Sequence, residues 1–342
     1  MSHRATAILF AATATAVAAL ALACLLIGSV DIPPEAIFDI LTGNGSTQKE
    51  AWRVIILESR LPMIITATLA GAALAIAGLL MQTTFNNPLA GPSILGVSTG
   101  ASLGVAVAML AAGGAVAGIM GTRPAAIAGA TIGAAVIMAI LLVFSRLLRS
   151  STMLLITGIM VGYFASSGIS LLNFFATREG VHTFVIWGMG NFTSVTNADM
   201  PLYATLITAA IAISILMIKP LNALLLGERY AVNLGVNIRL TRNLLLIISG
   251  VLTAVVTAYC GPIGFIGVIV PHIARLTFRS AHHAVLLPAT ALNGALIALL
   301  CTLISVIPTS SGIIPVNAIT PIVGAPVIIY IIVCRNKLFY FN

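Results

Sequence analysis

Long runs of apolar residues, separated by short polar segments, cover most of this chain. A helix that crosses the apolar core of a bilayer needs roughly 20 consecutive apolar residues. The runs cover about 5–29, 61–82, 93–112, 123–145, 151–175, 199–218, 240–259, 263–275, 284–307 and 315–334, the eighth being the shortest. The pattern therefore predicts an all-α polytopic membrane protein, with about ten transmembrane helices in a single domain that spans residues 1–342.

Composition agrees with this prediction, since 60% of the residues are hydrophobic and only 7% are charged, whereas soluble domains carry about 25% charged residues. The formal charge of +8 could indicate a nucleic-acid partner, but the basic residues follow the predicted topology instead. With ten helices both termini lie on one side, and loops rich in Lys and Arg favour the cytoplasm. We therefore expect both termini to be cytoplasmic in an inner, or cytoplasmic, membrane, with no nucleic acid bound.

Eleven of the 16 basic residues then lie inside and five outside. The inner set is Arg4, Arg146, Arg149, Lys219, Arg229, Arg239, Arg242, Arg275, Arg279, Arg335 and Lys337, and the outer set is Lys49, Arg53, Arg60, Arg123 and Arg178. Seven of the eight acidic residues fall outside, and only Glu228 falls inside.

The first apolar run could be mistaken for a secretory signal, but it exceeds the ~7–15 residues of a signal-peptide core. It also continues through Leu25 beyond Cys24, which argues against lipoprotein cleavage at that cysteine. The other cysteines, Cys260, Cys301 and Cys334, are likewise isolated in or at apolar segments. We expect packing roles for the cysteines, with no disulfide and no metal site.

Glycines and prolines interrupt the apolar pattern at two places, residues 88–96 and 261–275. Broken backbone at membrane depth is tolerated only where protein buries it or a watery cavity meets it, and transporters often place their pathways there. The two segments follow similar stretches, because the interval from Arg60 to Gly71 equals that from Arg239 to Gly250. These stretches begin at the second and seventh helices, so the pattern predicts an inverted repeat, with chance similarity among Ala- and Gly-rich helices as the alternative.

Two absences limit the classes of function. No Asp, Glu, Lys or Arg lies in the middle of a predicted helix, although ion-coupled carriers commonly place ionisable groups there. No G-x-x-x-x-G-K-[ST] loop is present, so the chain lacks this phosphate-binding motif. An ion-coupled secondary carrier and a membrane enzyme are therefore disfavoured. Energy for driven transport would have to come from another subunit.

The longest inner connection, about 219–239, contains a short segment that Gly227 and Gly235 bracket. Gly235 suits the residue after a helix end, which often needs a positive φ. Helical spacing places Tyr230, Ala231 and Leu234 on one face, which predicts a short helix that could enter a groove on a partner. An ordinary amphipathic surface helix is the alternative.

Arg60 precedes the second apolar run and has two interpretations. It is either an interfacial anchor or a docking charge for an acidic patch on an external binding protein. His272 and the pair His282–His283 resemble metal ligands, but no Cys, Asp or Glu accompanies them, so we expect no metal site.

Six segments carry a more specific pattern. They are Arg60–Pro62; Gly71–Gly78 with Gln82; Asn87–Val97 with Gly100 and Ala101; Trp187–Phe192; Leu226–Asn237; and Gly261–Arg275, followed by 291–295 and 324–326. In these residues the chain resembles the FecCD-type permeases, which are the membrane subunits of ABC importers for iron-siderophores, haem and cobalamin. The resemblance spans roughly residues 55–335.

The resemblance implies a transporter subunit that pairs as a two-fold dimer, with a copy of itself or a paralogue, around a central pathway. Two cytoplasmic ATPase subunits would bind ATP and Mg²⁺ and dock on the 226–237 helix, while this chain would bind no cofactor. An external solute-binding protein would deliver the cargo, with an iron(III)-siderophore as the first candidate and cobalamin or haem as the alternative.

The candidate site residues fall into three groups. ATPase coupling is assigned to Gly227, Glu228, Tyr230, Ala231, Leu234, Gly235 and Asn237, binding-protein docking to Arg60, and the pathway to Gln82, Asn87, Pro88, Gly91, Pro92, Gly261, Pro262, Gly264, Gly267 and Pro271.

The chain departs from the family pattern on its outer side. Thr302 and Val306 replace an Asp and an Arg, while Ile313 and Asn317 replace the Glu and Gly of a Glu-Leu-Pro-x-Gly motif. Met63 stands where a basic residue is common. These departures predict docking by apolar contacts, charges supplied by a non-identical permease, or degraded activity.

Overall fold

The computed structural model describes residues 3–43, 49–111, 115–148, 150–306 and 314–333, and these form helices without any strand. The helices are α1 (His3–Leu26), α2 (Pro34–Thr42), α3 (Glu50–Val54), α4 (Leu61–Thr84), α5 (Val97–Leu110), α6 (Ala115–Met120), α7 (Thr122–Leu147), α8 (Ser151–Phe175), α9 (Arg178–Gly188), α10 (Met200–Leu216), α11 (Ile218–Leu224), α12 (Glu228–Asn233), α13 (Ile238–Cys260), α14 (Ile266–Phe278), α15 (His283–Ser305) and α16 (Val316–Val333). Arg149, Cys334, Arg335, Lys337 and Ile313, all named above, lie outside the described residues.

Each of the ten predicted apolar runs coincides with a helix, and α8 matches its predicted bounds of 151–175. Six of the described helices are long and apolar enough to cross a membrane, and the pair α10–α11, bent by 56°, would make a seventh. Three shorter apolar helices, α5, α14 and α16, occupy the remaining predicted positions. The all-α polytopic class is confirmed, whereas ten complete crossings stay a prediction because these three helices are short.

Helix α4 lies at the centre of the fold and is buried without interruption from Ala70 to Thr84. It packs mainly against α15, and also against α13 and α14. By contrast, α1, α7 and α8 expose most of their apolar surface. Because lipid tails are as apolar as side chains, this surface is compatible with a bilayer, and association of the central helices depends on close packing.

Small residues bring the backbones of the central helices together. Gly71 of α4 and Gly294 of α15 face each other so closely that a Cβ on either residue would overlap the other's carbonyl oxygen. About two helical turns further along α4, a Cβ on Gly78 would overlap the carbonyl of Gly267 in α14. Such close approaches are typical of membrane helix pairs, in which small residues maximise van der Waals contact.

The helix contacts show the correspondence between two halves that is expected of an inverted repeat. Helix α4, the second long segment, packs on α15, the ninth, and α13, the seventh, packs on α7, the fourth. Segments two and seven are five apart, and so are segments four and nine. Replacing each segment by its counterpart therefore converts one pair into the other. Gly71 contacts α15, and its sequence counterpart Gly250 contacts Met138 of α7. The glycines that the repeat aligned thus occupy corresponding interfaces.

Both interrupted segments are breaks between helices, although the second is narrower than predicted. Residues 85–96 join α4 to α5, and Gly261–Phe265 joins α13 to α14. Phe265 has a φ of 68°, which is uncommon for a bulky residue. Pro271 was predicted to interrupt the second segment, but it lies inside the continuous helix α14. Its missing N–H leaves the carbonyl of Gly267 without its helical donor, and that carbonyl faces Gly78.

We expect Gly78→Ala to destabilise the protein, because the added methyl meets backbone rather than a movable side chain. Overpacking a membrane helix contact of this kind should cost about 1–3 kcal/mol. Gly118→Ala is the matched control, since a Cβ there has no neighbour within 4 Å. Thermal unfolding of both purified variants in one detergent is the measurement, and equal melting temperatures would contradict the assigned contact.

Candidate functional site

The side predicted to be cytoplasmic is called the inner side below. There, Gln82 at the end of α4 binds two groups of α14. Its side-chain amide donates to the carbonyl of Val268 at 3.0 Å, and its Oε1 accepts from Arg275 Nη1 at 2.6 Å. Gln82 and Arg275 are both buried. Gln82, predicted to belong to the pathway, therefore joins two helices in the interior of this chain.

The inner break, residues 85–96, folds against the same helix. Asn87 Oδ1 accepts from the N–H of Leu89 at 2.9 Å, which closes a local turn. The carbonyl of Pro88 accepts from His272 Nε2 at 2.8 Å. His272 thus joins the inner break to α14 through this hydrogen bond.

Gly91 and Pro92 complete this contact between the two predicted broken segments. A Cβ on Gly91 would lie 2.6 Å from Val268 Cγ2, and one on Gly267 would lie 2.8 Å from Pro92 Cδ. The structure therefore brings together the residues that sequence assigned to separate segments of a pathway. They meet as a packed interface between the inner break and α14.

The adjacent histidines form a hydrogen-bonded chain at the start of α15. Asn222 Oδ1 accepts from the N–H of His283 at 2.8 Å and lies 3.0 Å from His283 Nδ1. Because a carbonyl oxygen can only accept, Nδ1 carries the proton, and Nε2 accepts from Thr83 Oγ1 at 2.9 Å. Asn222 Nδ2 lies 3.1 Å from His282 Nε2. Within the described ranges, no three His, Cys, Asp or Glu side chains form a group that could hold a metal ion.

The outer break, Gly261–Phe265, is held by a residue that sequence reasoning noted only as a departure from the family pattern. Asn317, near the start of α16, accepts from the N–H of Gly264 at 3.2 Å. It donates to the carbonyls of Gly188, at 3.0 Å, and of Pro262. The signal was available in principle, since an amide side chain stands at the head of an apolar run.

Arg60 does not have the position that a docking charge requires. A six-residue π-helical turn, Ile55–Arg60, leads directly into α4, and Arg60 is only 4% exposed. Its guanidinium donates to the carbonyls of Leu25, at 2.6 Å, and Leu26, at 3.1 Å, at the end of α1, and also to that of Val30. These bonds satisfy carbonyls that a helix end leaves open, so the docking assignment is not carried further.

The inner segment forms a helix, but it is shorter and turned differently from the prediction. Helix α12 has six residues, between Gly227 with φ of 97° and Gly235 with φ of 82°. The predicted positive φ at Gly235 is confirmed. Tyr230 and Leu234 are 66% and 64% exposed, whereas Ala231 is fully buried. Placing Ala231 on their free face was wrong, because this residue anchors the helix to the protein.

Polar side chains attach α12 to the neighbouring helices. Glu228 Oε1 accepts from Ser151 Oγ at the start of α8, at 2.7 Å. Asn237, assigned to the coupling helix, caps α13 by accepting from the N–H of Leu240 at 3.0 Å. The inner helix is therefore joined to α8 on one side and continues into α13 on the other.

A third buried arginine fixes the turn between α7 and α8. Arg242 of α13 donates to the carbonyls of Ser145, at 2.7 Å, and Leu148, at 3.0 Å. Its Nε also donates to Ser145 Oγ at 3.2 Å. Arg242 thus satisfies carbonyls at the end of α7 as Arg60 does at the end of α1. A displacement of α12 and α13 would act directly on the start of α8.

Helix α8 presents a neutral, chemically mixed surface. Its exposed residues include Met160, Tyr163, Phe164, Ser167 and Ser170, and no charged residue lies between Ser151 and Phe175. Serine hydroxyls and a tyrosine are unusual choices for a face that meets only lipid tails, while they suit contact with a large, partly polar molecule.

Together, the polytopic all-α fold and its two packed breaks define a multi-pass membrane protein of the transporter class. A family model described as the FecCD transport family matches residues 16–334, and the chain belongs to this family.

Curated relatives agree with this assignment. Vitamin B12 import system permease protein BtuC from Salmonella typhi is 39% identical over 279 residues, which cover 82% of this chain and 83% of that protein. The same protein from Citrobacter koseri is 38% identical over 284 residues, covering 83% and 84%. A solved structure described as a metal-chelate type ABC transporter in an inward-facing conformation has a TM-score of 0.80 and 30% identity, covering 97% of this chain and 99% of that chain.

We expect Ala231→Asp to lower the stability of the folded permease itself. An unpaired carboxylate would replace a methyl that is fully buried, and such a charge costs on the order of 3–5 kcal/mol. Leu234→Asp is the matched control, because an exposed surface position should change stability by only about ±0.5 kcal/mol. Thermal unfolding and yield of the two purified variants decide this, and an unaffected Ala231→Asp protein would contradict the inward placement.

Loss of the Arg60 guanidinium should likewise destabilise the fold. Arg60→Met keeps much of the side-chain volume but leaves three carbonyls without their donor, which we expect to cost on the order of 3 kcal/mol. Arg53→Met removes an exposed basic residue seven positions earlier and serves as the control. If both variants unfold at the wild-type temperature, the carbonyls of α1 do not depend on Arg60.

Proposed function

We propose that this protein is the permease subunit of an ABC importer that carries a metal chelate across the cytoplasmic membrane. The observation that carries the proposal is α12, an inner helix whose buried Ala231 fixes its orientation while Tyr230 and Leu234 remain exposed. Two exposed apolar side chains on a short, anchored helix suit insertion into a groove of a partner protein. Two cytoplasmic ATPase subunits, one for each permease of a dimer, are the proposed partners.

The distribution of acidic residues supports energy supply by that partner. No Asp or Glu lies between Leu61 and Arg178, and Glu228 is the only one between Met200 and Val333. Glu228 belongs to α12 on the inner side. Helices without carboxylates lack the groups that proton- and sodium-coupled carriers commonly use within the membrane. The driving force is therefore assigned to ATP hydrolysis on the ATPase subunits.

Cargo passage is assigned to the space between two permease copies, along α8. Its neutral surface of Ser, Tyr, Phe and Met offers weak contacts of several kinds rather than one charged site. A bulky chelate with both polar and apolar parts suits such a wall. Cobalamin is a cargo candidate because vitamin B12 permeases are 38–39% identical to this chain, and an iron(III)-siderophore is the other candidate within the same chemical class.

Basic residues determine the proposed orientation. Both termini and the connection from Lys219 to Arg239 are placed in the cytoplasm, and α2 and α9 on the outer side, where a solute-binding protein would deliver the chelate. Arg229 in α12 and Arg239 at the start of α13 are both exposed. Such a concentration of positive charge on one side favours retention of that side in the cytoplasm.

Two substitutions on α12, Tyr230→Asp and Leu234→Asp, test the proposed ATPase contact. Each should leave the permease folded but reduce co-purification of the ATPase by at least about tenfold, the effect of about 1.4 kcal/mol at the interface. Ile186→Asp, at an equally exposed apolar position on the outer helix α9, should retain the ATPase. Full retention by both α12 variants would contradict the contact.

The cargo is decided with the same reconstituted complex in proteoliposomes. We expect ATP-dependent accumulation of cyanocobalamin or of a ferric siderophore when the cognate binding protein is supplied, and none without ATP. Accumulation of one chelate and not the other assigns the cargo. Uptake that a proton or sodium gradient drives without ATPase would contradict the importer proposal.

A further inference from the structure

Asn317 is the meeting point of three outer segments that are distant in the sequence. Its side chain bonds to Gly188 at the end of α9, and to Pro262 and Gly264 in the outer break. Its own backbone N–H, near the start of α16, donates to the carbonyl of Met189 at 3.2 Å. One residue therefore joins α9, the α13–α14 break and α16.

Almost all the hydrogen-bonding groups of the Asn317 side-chain amide have a partner. An Asn side chain offers two N–H donors and an acceptor oxygen. Here the N–H groups reach the carbonyls of Gly188 and Pro262, and the oxygen accepts from the N–H of Gly264. The oxygen and nitrogen can be told apart because both carbonyls require a donor and the Gly264 N–H requires an acceptor. An exchange of the two amide atoms would oppose every one of these bonds.

The groups that Asn317 binds lie next to residues with positive φ. Gly190 and Gly261 have φ of 73° and 77°, and Phe265 has φ of 68°. A Cβ on Gly261 would overlap the carbonyl of Trp187, so the break and the end of α9 are in direct backbone contact. A positive φ is costly for a bulky residue such as Phe265, and backbone of this kind persists only where its surroundings hold it in place. The Asn317 amide supplies three of the bonds that do so.

We propose that Asn317 is a positioning residue on the outer side, and that it makes the end of α9, the outer break and the start of α16 move as one unit. The role concerns geometry, since Asn317 need not touch the cargo. The family resemblance places a glycine at this position, which cannot make these side-chain bonds.

Three substitutions separate hydrogen bonding from packing. Asn317→Ala removes all three side-chain bonds. Asn317→Asp keeps the shape but turns both donors into acceptors, so that a carboxylate oxygen faces two carbonyls, and we expect it to be the more damaging variant. Asn317→Gly restores the family residue and should resemble Ala. Asn197→Asp is the control, because Asn197 is exposed and makes a single bond, to the carbonyl of Leu57 at 3.1 Å.

The fluorescence of Trp187 provides a measurement that does not depend on transport. The chain has two tryptophans, and a Trp52→Phe background leaves Trp187 alone, one residue before Gly188 and stacked near Phe184. We expect Asn317→Asp to shift the emission of Trp187 and to increase its quenching by iodide well below the unfolding temperature. The Asn197→Asp control should match the parent. Unchanged Trp187 spectra in the Asp and Ala variants would overturn the proposal.

A second measurement addresses movement and rests on the proposed import function. Uptake by folded protein should fall on the order of tenfold in Asn317→Asp, the change that about 1.4 kcal/mol produces, with a smaller loss in Ala. A purely structural role would lower the melting temperature and leave uptake per folded molecule unchanged, which would also overturn the proposal. Failure of the parent to transport any chelate would contradict the import function, while the Trp187 spectra would still decide the role of Asn317.

Discussion

The fold depends on one constraint, that backbone polar groups within an apolar layer must find partners inside the protein. Several helix ends and both breaks of this chain meet the constraint with a particular side chain. Arg60 and Arg242 donate to the last carbonyls of α1 and α7, Gln82 joins α4 to α14, His272 joins α14 to the inner break, and Asn317 holds the outer break. Because these ties cross between helices, they also fix how the helices are arranged.

Close packing of small residues complements these polar ties. Gly71, Gly78, Gly267 and Gly294 allow α4, α14 and α15 to approach at backbone distance, where van der Waals contact replaces the hydrophobic driving force that lipid does not provide. The Gly267 carbonyl left free by Pro271 lies in such a contact.

Sequence predicted the helices well and the side-chain partners poorly. The bounds of α8 followed from apolar length alone, since bilayer thickness sets that length. Ala231 was placed on the wrong face because helical spacing alone shows which residues share a face of a helix. It does not show which face packs against the rest of the protein. Arg60 was read as exposed because a charge at the end of an apolar run can point to water or to a neighbouring helix end. Asn317 was missed as a tie because its partners are backbone groups, which every sequence contains.

The two breaks differ in a way that bears on alternating access. On the inner side, the buried Gln82 and Arg275 join α4 to α14, and the His272 bond to Pro88 holds the inner break. At the outer break, the half-buried Asn317 joins the end of α9, the break and the start of α16, so these segments would shift together as one unit, while the buried bonds between α4 and α14 make that pair the more rigid part. A displacement of α12 would reach α8 through the Ser151–Glu228 hydrogen bond and α13 through the chain itself. Helix α13 leads into the outer break, so the displacement would reach the unit that Asn317 joins.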